Sequence, residues 1–246
     1  MTARVFVLLL ILTCKASAQT ESLPSSLVPI DPRTPKLTGT ISTRELLIPP
    51  KAVKELRRAQ AALASRDVHS SARHLEKALQ IYPDCMEAHN NLGSRYVELS
   101  EYEKAVSEFR KASEIDPRAI QPVSNLSVAL FLLKRYAEAE AAARRAISLD
   151  PRNPTARYML GATLATEKRN PAEAMELLRQ TTNEYPDSRL LLATVLSRLG
   201  DLEEAKDELR EYLKAPEPEK KQRVERWLER LVQTPATNHT TEPNIP

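Results

Sequence analysis

Residues Met86–Pro117, MEAHNNLGSRYVELSEYEKAVSEFRKASEIDP, decide the fold. Leu92 and Tyr96 stand four apart, and Ala105, Phe109 and Ala112 follow at i, i+4 and i+7, so each set falls on one face of its own helix. Small Gly93 and Ala105 let two antiparallel backbones approach, large residues fill the remaining space, and Pro117 closes the second helix.

The same arrangement recurs on both sides of this stretch. Pro83, Pro117, Pro151 and Pro186 are spaced by 34, 34 and 35 residues. First helices carry Ala59, Gly93, Ser127, Gly161 and Ala193 at the small position, and second helices carry Ser71, Ala105, Ala139, Ala174 and Ala205. The large residues keep step, with Leu92, Leu126, Leu160 and Leu192 on first helices and Leu75, Phe109, Leu178 and Leu209 on second ones. Between the helices of a pair stand Arg66-Asp67-Val68, Ser100-Glu101-Tyr102, Lys134-Arg135-Tyr136 and Gly200-Asp201-Leu202. This register places helices over 51–65, 67–81, 84–98, 101–115, 118–132, 135–148, 153–167, 171–184, 187–199 and 201–214. The pattern loosens in places. Arg58 and Ser71 occupy the Leu and Ala positions of the first unit, the fourth gains a residue near Asn170-Pro171, and the fifth has its first helix three residues short.

Composition agrees with helices alone: the 246 residues include 4 Gly, 3 Phe and 1 Trp. Residues 1–18, MTARVFVLLLILTCKASA, have the layout of a secretory signal peptide: Arg4, the apolar run Val5–Leu12, and Ala16 and Ala18 before the cleavage point. An uncleaved anchor is the alternative, and a lipidated Cys14 is disfavoured by Thr13 before it. Export places the protein in the periplasm or outside the cell. The formal charge of +3 includes Arg4 and Lys15, so the mature chain carries 34 basic and 33 acidic residues, or +1, which gives no field for nucleic acid or a membrane surface. Membrane contact would come only through an uncleaved or lipidated leader. Cys85 is the single cysteine beyond the leader, which excludes an intramolecular disulfide, and it is expected in a loop.

Residues 19–45, with Pro24, Pro29, Pro32 and Pro35, read as an extended tether, and Leu46, Leu47 and Ile48 before Pro49-Pro50 begin the folded domain, expected over 46–216. Its units are expected at about 52–85, 86–119, 120–153, 154–188 and 189–216. Val224, Trp227, Leu228 and Leu231 line one face of a capping helix over 217–232, and 233–246 read as a disordered tail that holds a weak glycosylation match at Asn238-His239-Thr240.

The repeat resembles the tetratricopeptide repeat, whose unit is about 34 residues. The resemblance implies an all-α, right-handed superhelical solenoid of about five helix-turn-helix repeats, with first helices lining a concave groove. It implies a protein or peptide partner, and the residues that would face it are Asn90, Asn91, Ser94 and Glu98 in the second repeat, Ser124, Asn125, Val128 and Phe131 in the third, and Tyr158, Ala162 and Thr166 in the fourth. Asn91 and Asn125, one repeat apart, look like the asparagine rungs with which some members hold an extended backbone, although Met159 breaks the series. Members that grip the acidic end of heat-shock chaperones use Lys and Arg at places held here by Leu56, Gln60, Asn91, Gln121 and Asn125, so that clamp is not expected.

Catalytic chemistry is not legible. His69 and His74 are five apart and face differently, His89 stands at a packing position, the glycines Gly39, Gly93, Gly161 and Gly200 are isolated, and no zinc or nucleophile motif occurs. We expect no catalytic, metal or cofactor site. The basic pairs Arg57-Arg58 and Arg144-Arg145 read as solvated faces. Two functions remain. The first is an interaction scaffold in the cell envelope that holds a polypeptide segment in its groove, and the second is a structural or homo-oligomerising subunit that works through convex faces and repeat ends.

Overall fold

The structure, a computed structural model, describes residues 48–214 and 220–233. The leader, the tether, the tail and Leu46-Leu47 lie outside the described residues, as do Pro216 and Pro218. Among the described residues there are eleven helices and no strand: α1 Pro50–Ala64, α2 Val68–Ile81, α3 Met86–Glu98, α4 Tyr102–Ile115, α5 Ile120–Leu132, α6 Tyr136–Leu149, α7 Pro154–Glu167, α8 Pro171–Arg179, α9 Asp187–Leu199, α10 Leu202–Leu213 and α11 Lys221–Gln233. Each odd helix from α1 to α9 pairs with the one after it, and each pair stacks on the next. The architecture is an all-α solenoid of five helical hairpins followed by one further helix.

Local chemistry sets the helix starts. The Asp67 carboxylate accepts the Ser70 N–H at 2.8 Å and the Asn153 side chain accepts the Ala156 N–H at 2.8 Å, while Pro154 and Pro171 occupy first-turn positions that need no N–H. Every hairpin then turns through one left-handed residue: Arg66, Ser100, Lys134 and Lys168 have φ of 60°, 60°, 60° and 56°, and Gly200 has 90°. The extra residue of the fourth repeat is taken up just after Lys168, where Asn170 adds a second left-handed turn with φ of 39°.

Two expectations are corrected. Helix α8 stops at Arg179 instead of reaching 184, because Thr181 and Thr182 turn their hydroxyls onto the carbonyls of Leu178 and Arg179, at 3.1 and 3.2 Å, and compete with the ladder. The first helix of the fifth repeat is not short: α9 has 13 residues, as α3 does. It begins directly after Pro186, so the deletion removes the entry loop and the early end of α8 supplies the connection.

The close approaches are where the repeat requires them. A Cβ on Gly93 would lie 2.6 Å from the Phe109 ring, and one on Gly161 would lie 2.9 Å from Leu178. The main core runs from Val97 to Val224, whereas Ala59, Ala72, Leu75, Cys85, Ala88 and Leu92 form a separate cluster under the first hairpin. On α11, Val224 is buried and Trp227, Leu228 and Leu231 pack against the main core. Lys220 enters α11 through a buried ion pair with Asp187 at 2.9 Å. No helix among the described residues is long and apolar enough to cross a membrane.

Candidate functional site

The first helices α3, α5, α7 and α9 touch in series and form the inner side of the stack. Of the residues expected there, Asn91 is exposed, and Asn90, Glu98 and Thr166 are half-buried. Ser94, Ser124, Asn125, Val128, Phe131, Tyr158 and Ala162 are buried. The physical reason is that successive first helices pack directly on one another, so side chains at these positions fill the space between them. Phe131 sits edge-on to Tyr136 at 5.3 Å, and Tyr158 stacks on Tyr185 at 4.6 Å. Burial, with Asp187 nearby, pushes the Tyr158 hydroxyl well above the usual tyrosine range. The hydroxyls of Ser94, Ser124 and Thr166 donate to carbonyls of their own helices, to Asn90, Ile120 and Ala162 respectively.

The asparagine geometry differs from the expected rungs. The Asn125 amide donates to the side-chain oxygen of Asn90 at 3.0 Å, which ties α3 to α5 and leaves Asn91 on the surface beside the pair. A one-position offset between neighbouring first helices brings residue 90 rather than 91 opposite residue 125.

A second feature escaped the sequence reading. Asn91, Arg95 and Glu98 follow i, i+4 and i+7 on α3 and so share one stripe. The Arg95 side chain is 2% exposed, and its Nη2 forms an ion pair with Glu98 Oε1 at 2.8 Å, while its Nε and Nη1 have no hydrogen-bond partner. Burial pulls the Arg95 guanidinium below its usual range and pushes the Glu98 carboxyl above its own, each partly opposed by the other's charge. The signal was present in the repeat: the matching positions in the next three units hold Ala129, Thr163 and Val195.

Titratable groups elsewhere serve the fold. Glu55 and His74 meet at 2.7 Å, His89 and Glu108 at 2.5 Å, and Arg189 and Glu208 at 2.9 Å, each pair joining the two helices of one hairpin. His89 also directs Nε2 to the Pro83 carbonyl at 2.8 Å, as a packing residue does. Burial raises the Glu108 carboxyl, but the hydrogen bonds and charges of His89 and Lys111 outweigh it and leave the group below the usual carboxylate range. Cys85 lies in the connection between α2 and α3, as expected, directly before α3; it is buried there, and burial pushes its thiol up. Arg144 pairs with Glu140 and Glu173. No group of three or more potential metal ligands occurs among the described residues.

The tetratricopeptide repeat model matches residues 56–120, and a model described as anaphase-promoting complex, cyclosome, subunit 3 matches residues 130–212. The chain belongs to the tetratricopeptide repeat family. Among solved tetratricopeptide repeat structures it is similar to MamA, from residue 41 to the end, of Desulfovibrio magneticus RS-1 (TM-score 0.61, 17% identity, 73% of this chain and 98% of that one). It is also similar to TTC0263, a thermophilic TPR protein of Thermus thermophilus (0.57, 19%, 74% and 100%). A third is YrrB, described as a TPR protein with an unusual peptide-binding site (0.58, 19%, 73% and 92%). No curated protein matches the sequence.

Proposed function

We propose that this tetratricopeptide repeat chain is an interaction scaffold that works outside the cytoplasm and holds a segment of another protein against its inner face. One observation carries the reading. Asn90, Asn91, Arg95, Glu98 and Asn125 gather on α3 and α5 around an exposed amide, whereas on α7 Tyr158, Ala162 and Ala165 are buried and Thr166 spends its hydroxyl on the Ala162 carbonyl. An exposed asparagine offers donor and acceptor together, which suits the backbone of an extended segment. The peptide-binding site ascribed to YrrB supports the class of partner. Export rests on the leader-like residues 1–18.

A photo-crosslinking side chain placed at Asn91, and in a second variant at Ser148 on α6, tests this in the native host. The expected result is a partner crosslinked from position 91 and not from 148. Crosslinking from 148 alone would replace the inner-face reading with one in which the outer helices bind, and crosslinks between copies of the chain would favour the oligomerising subunit. Intact mass of the protein recovered from the periplasm or medium should begin at Gln19, and a cytoplasmic chain that still begins at Met1 refutes export.

A further inference from the structure

We propose that the stripe Asn91, Arg95 and Glu98 receives a carboxylate carried by the bound segment, and that Glu98 occupies the guanidinium until that carboxylate arrives. The inference rests on the inner face being the binding face. Arg95 is among the largest fully buried side chains, yet the fold does not call for it, since Ala129, Thr163 and Val195 fill the same place in the following repeats. The comparison with Arg198 is instructive: that guanidinium, farther along the inner face, donates to the Ala165 carbonyl at 2.9 Å, while Arg95 keeps two nitrogens without acceptors. Buried donors on a charged group are expensive to leave unmet, so a site that retains them has a use for an oxyanion.

The guanidinium geometry names the competitor. Each of its two fork-like edges uses Nη2, once with Nε and once with Nη1, and a planar carboxylate binds such a fork with two parallel hydrogen bonds. Glu98 holds Nη2 alone. It meets one nitrogen and leaves Nε and Nη1, one at each edge, without an acceptor. An incoming carboxylate that displaces Glu98 gains a fork, and Asn91, one turn away and exposed, stands ready for the neighbouring backbone. Arg95 is not at any of the places where the chaperone-binding clamp would stand, so this is a distinct way to read an acidic residue.

The probe is fluorescein-labelled hexaglutamate with an amidated end, which presents a carboxylate in every register, titrated by anisotropy into the full-length chain. The proposal expects Glu98→Ala to tighten binding by about tenfold and Arg95→Gln to weaken it by about tenfold or more, with Arg95→Lys close to Arg95→Gln because an ammonium has no fork. Circular dichroism confirms that the variants are folded, and Arg95→Lys stands in if Arg95→Gln is not. Equal affinity for wild type and the folded Arg95 variant overturns the inference, as does weaker binding by Glu98→Ala. Complete displacement by millimolar inorganic phosphate reduces the site to a general anion site and overturns the assignment to a polypeptide carboxylate. If Asn91 crosslinks a partner while the Arg95 variant leaves hexaglutamate binding unchanged, the carboxylate fails and the inner-face reading stands; the reverse pattern separates them the other way.

Discussion

Gly93 shows how one missing carbon sets the distance between two helices. Its absent Cβ would meet the Phe109 ring at 2.6 Å, so the aromatic edge occupies the volume that any other residue would claim. Gly93→Leu should therefore lower stability by about 1–3 kcal/mol. Phe109→Ala in the same chain should recover part of that loss, and coincident melts for wild type and Gly93→Leu would contradict the contact. The small-against-large logic was legible, because the recurrence of Gly or Ala at fixed spacing has no other cause, but the partner was not: the sequence reading set Gly93 against Ala105, and only the structure places it under Phe109. The hairpin turns follow the same division. Their location was readable from the bulky residue after each break, whereas their left-handed conformation was hidden because four of five turns spend Arg, Ser or Lys there instead of glycine. A left-handed non-glycine residue costs roughly 1–2 kcal/mol, partly offset by the lower unfolded-state entropy of a residue with a side chain. Lys134→Gly should accordingly raise stability by about 0.5 kcal/mol, read as a small upward shift in urea midpoint with unchanged slope.

At the scale of elements, the connections were harder to read than the helices. A period of 34 residues fixes which residues share a face, yet it says nothing about whether an inserted or deleted residue is absorbed by a helix or by a loop. The spacing puts the deletion before α9 into that helix, whereas the threonine pair at 181 and 182 shortens α8 instead. The last helix shows the opposite case, since its i, i+3, i+4, i+7 stripe of Val224, Trp227, Leu228 and Leu231 was visible and its anchor was not. Lys220 and Asp187 are 33 residues apart and their side chains are 7% and 6% exposed, so the pair joins the start of α11 to the start of α9 in a dry setting. Removing one member of such a buried pair leaves the other charge desolvated and costs about 3–5 kcal/mol. Lys220→Met should loosen α11, with faster amide exchange in α9–α11 and unchanged exchange in α3 and α4, because repeats couple chiefly to their neighbours. Uniform loss of protection along the whole stack would show that the pair does not act through the cap.

For the whole molecule, the response to acid follows from the sign of its carboxylate shifts. Glu55 is held below the usual range first by its hydrogen bond to His74, and Glu108 stays low because His89 and Lys111 outweigh its burial. Arg144 lowers Glu173, and Glu140 remains low against burial through Arg144 and Arg169. A carboxyl with a depressed folded value contributes stability above its unfolded value, about 4.3, and loses it as pH falls through the folded one. Glu98 runs the other way, since burial raises it and its protonation is easier in the folded chain, but among the described residues it stands against six lowered carboxyls, Glu138 and Glu211 being the other two. Stability should therefore be flat near neutrality and decline below about pH 4.3 as these carboxylates titrate. Glu108→Gln should lower stability at pH 7 and flatten the acid limb. The order of loss is set by the division of the core: the first hairpin rests on its own small cluster and is joined within itself by Glu55 and His74, so exchange at pH 4 should open α1 and α2 before α5 to α10. Simultaneous opening of all hairpins would mean that the two clusters fold as one unit.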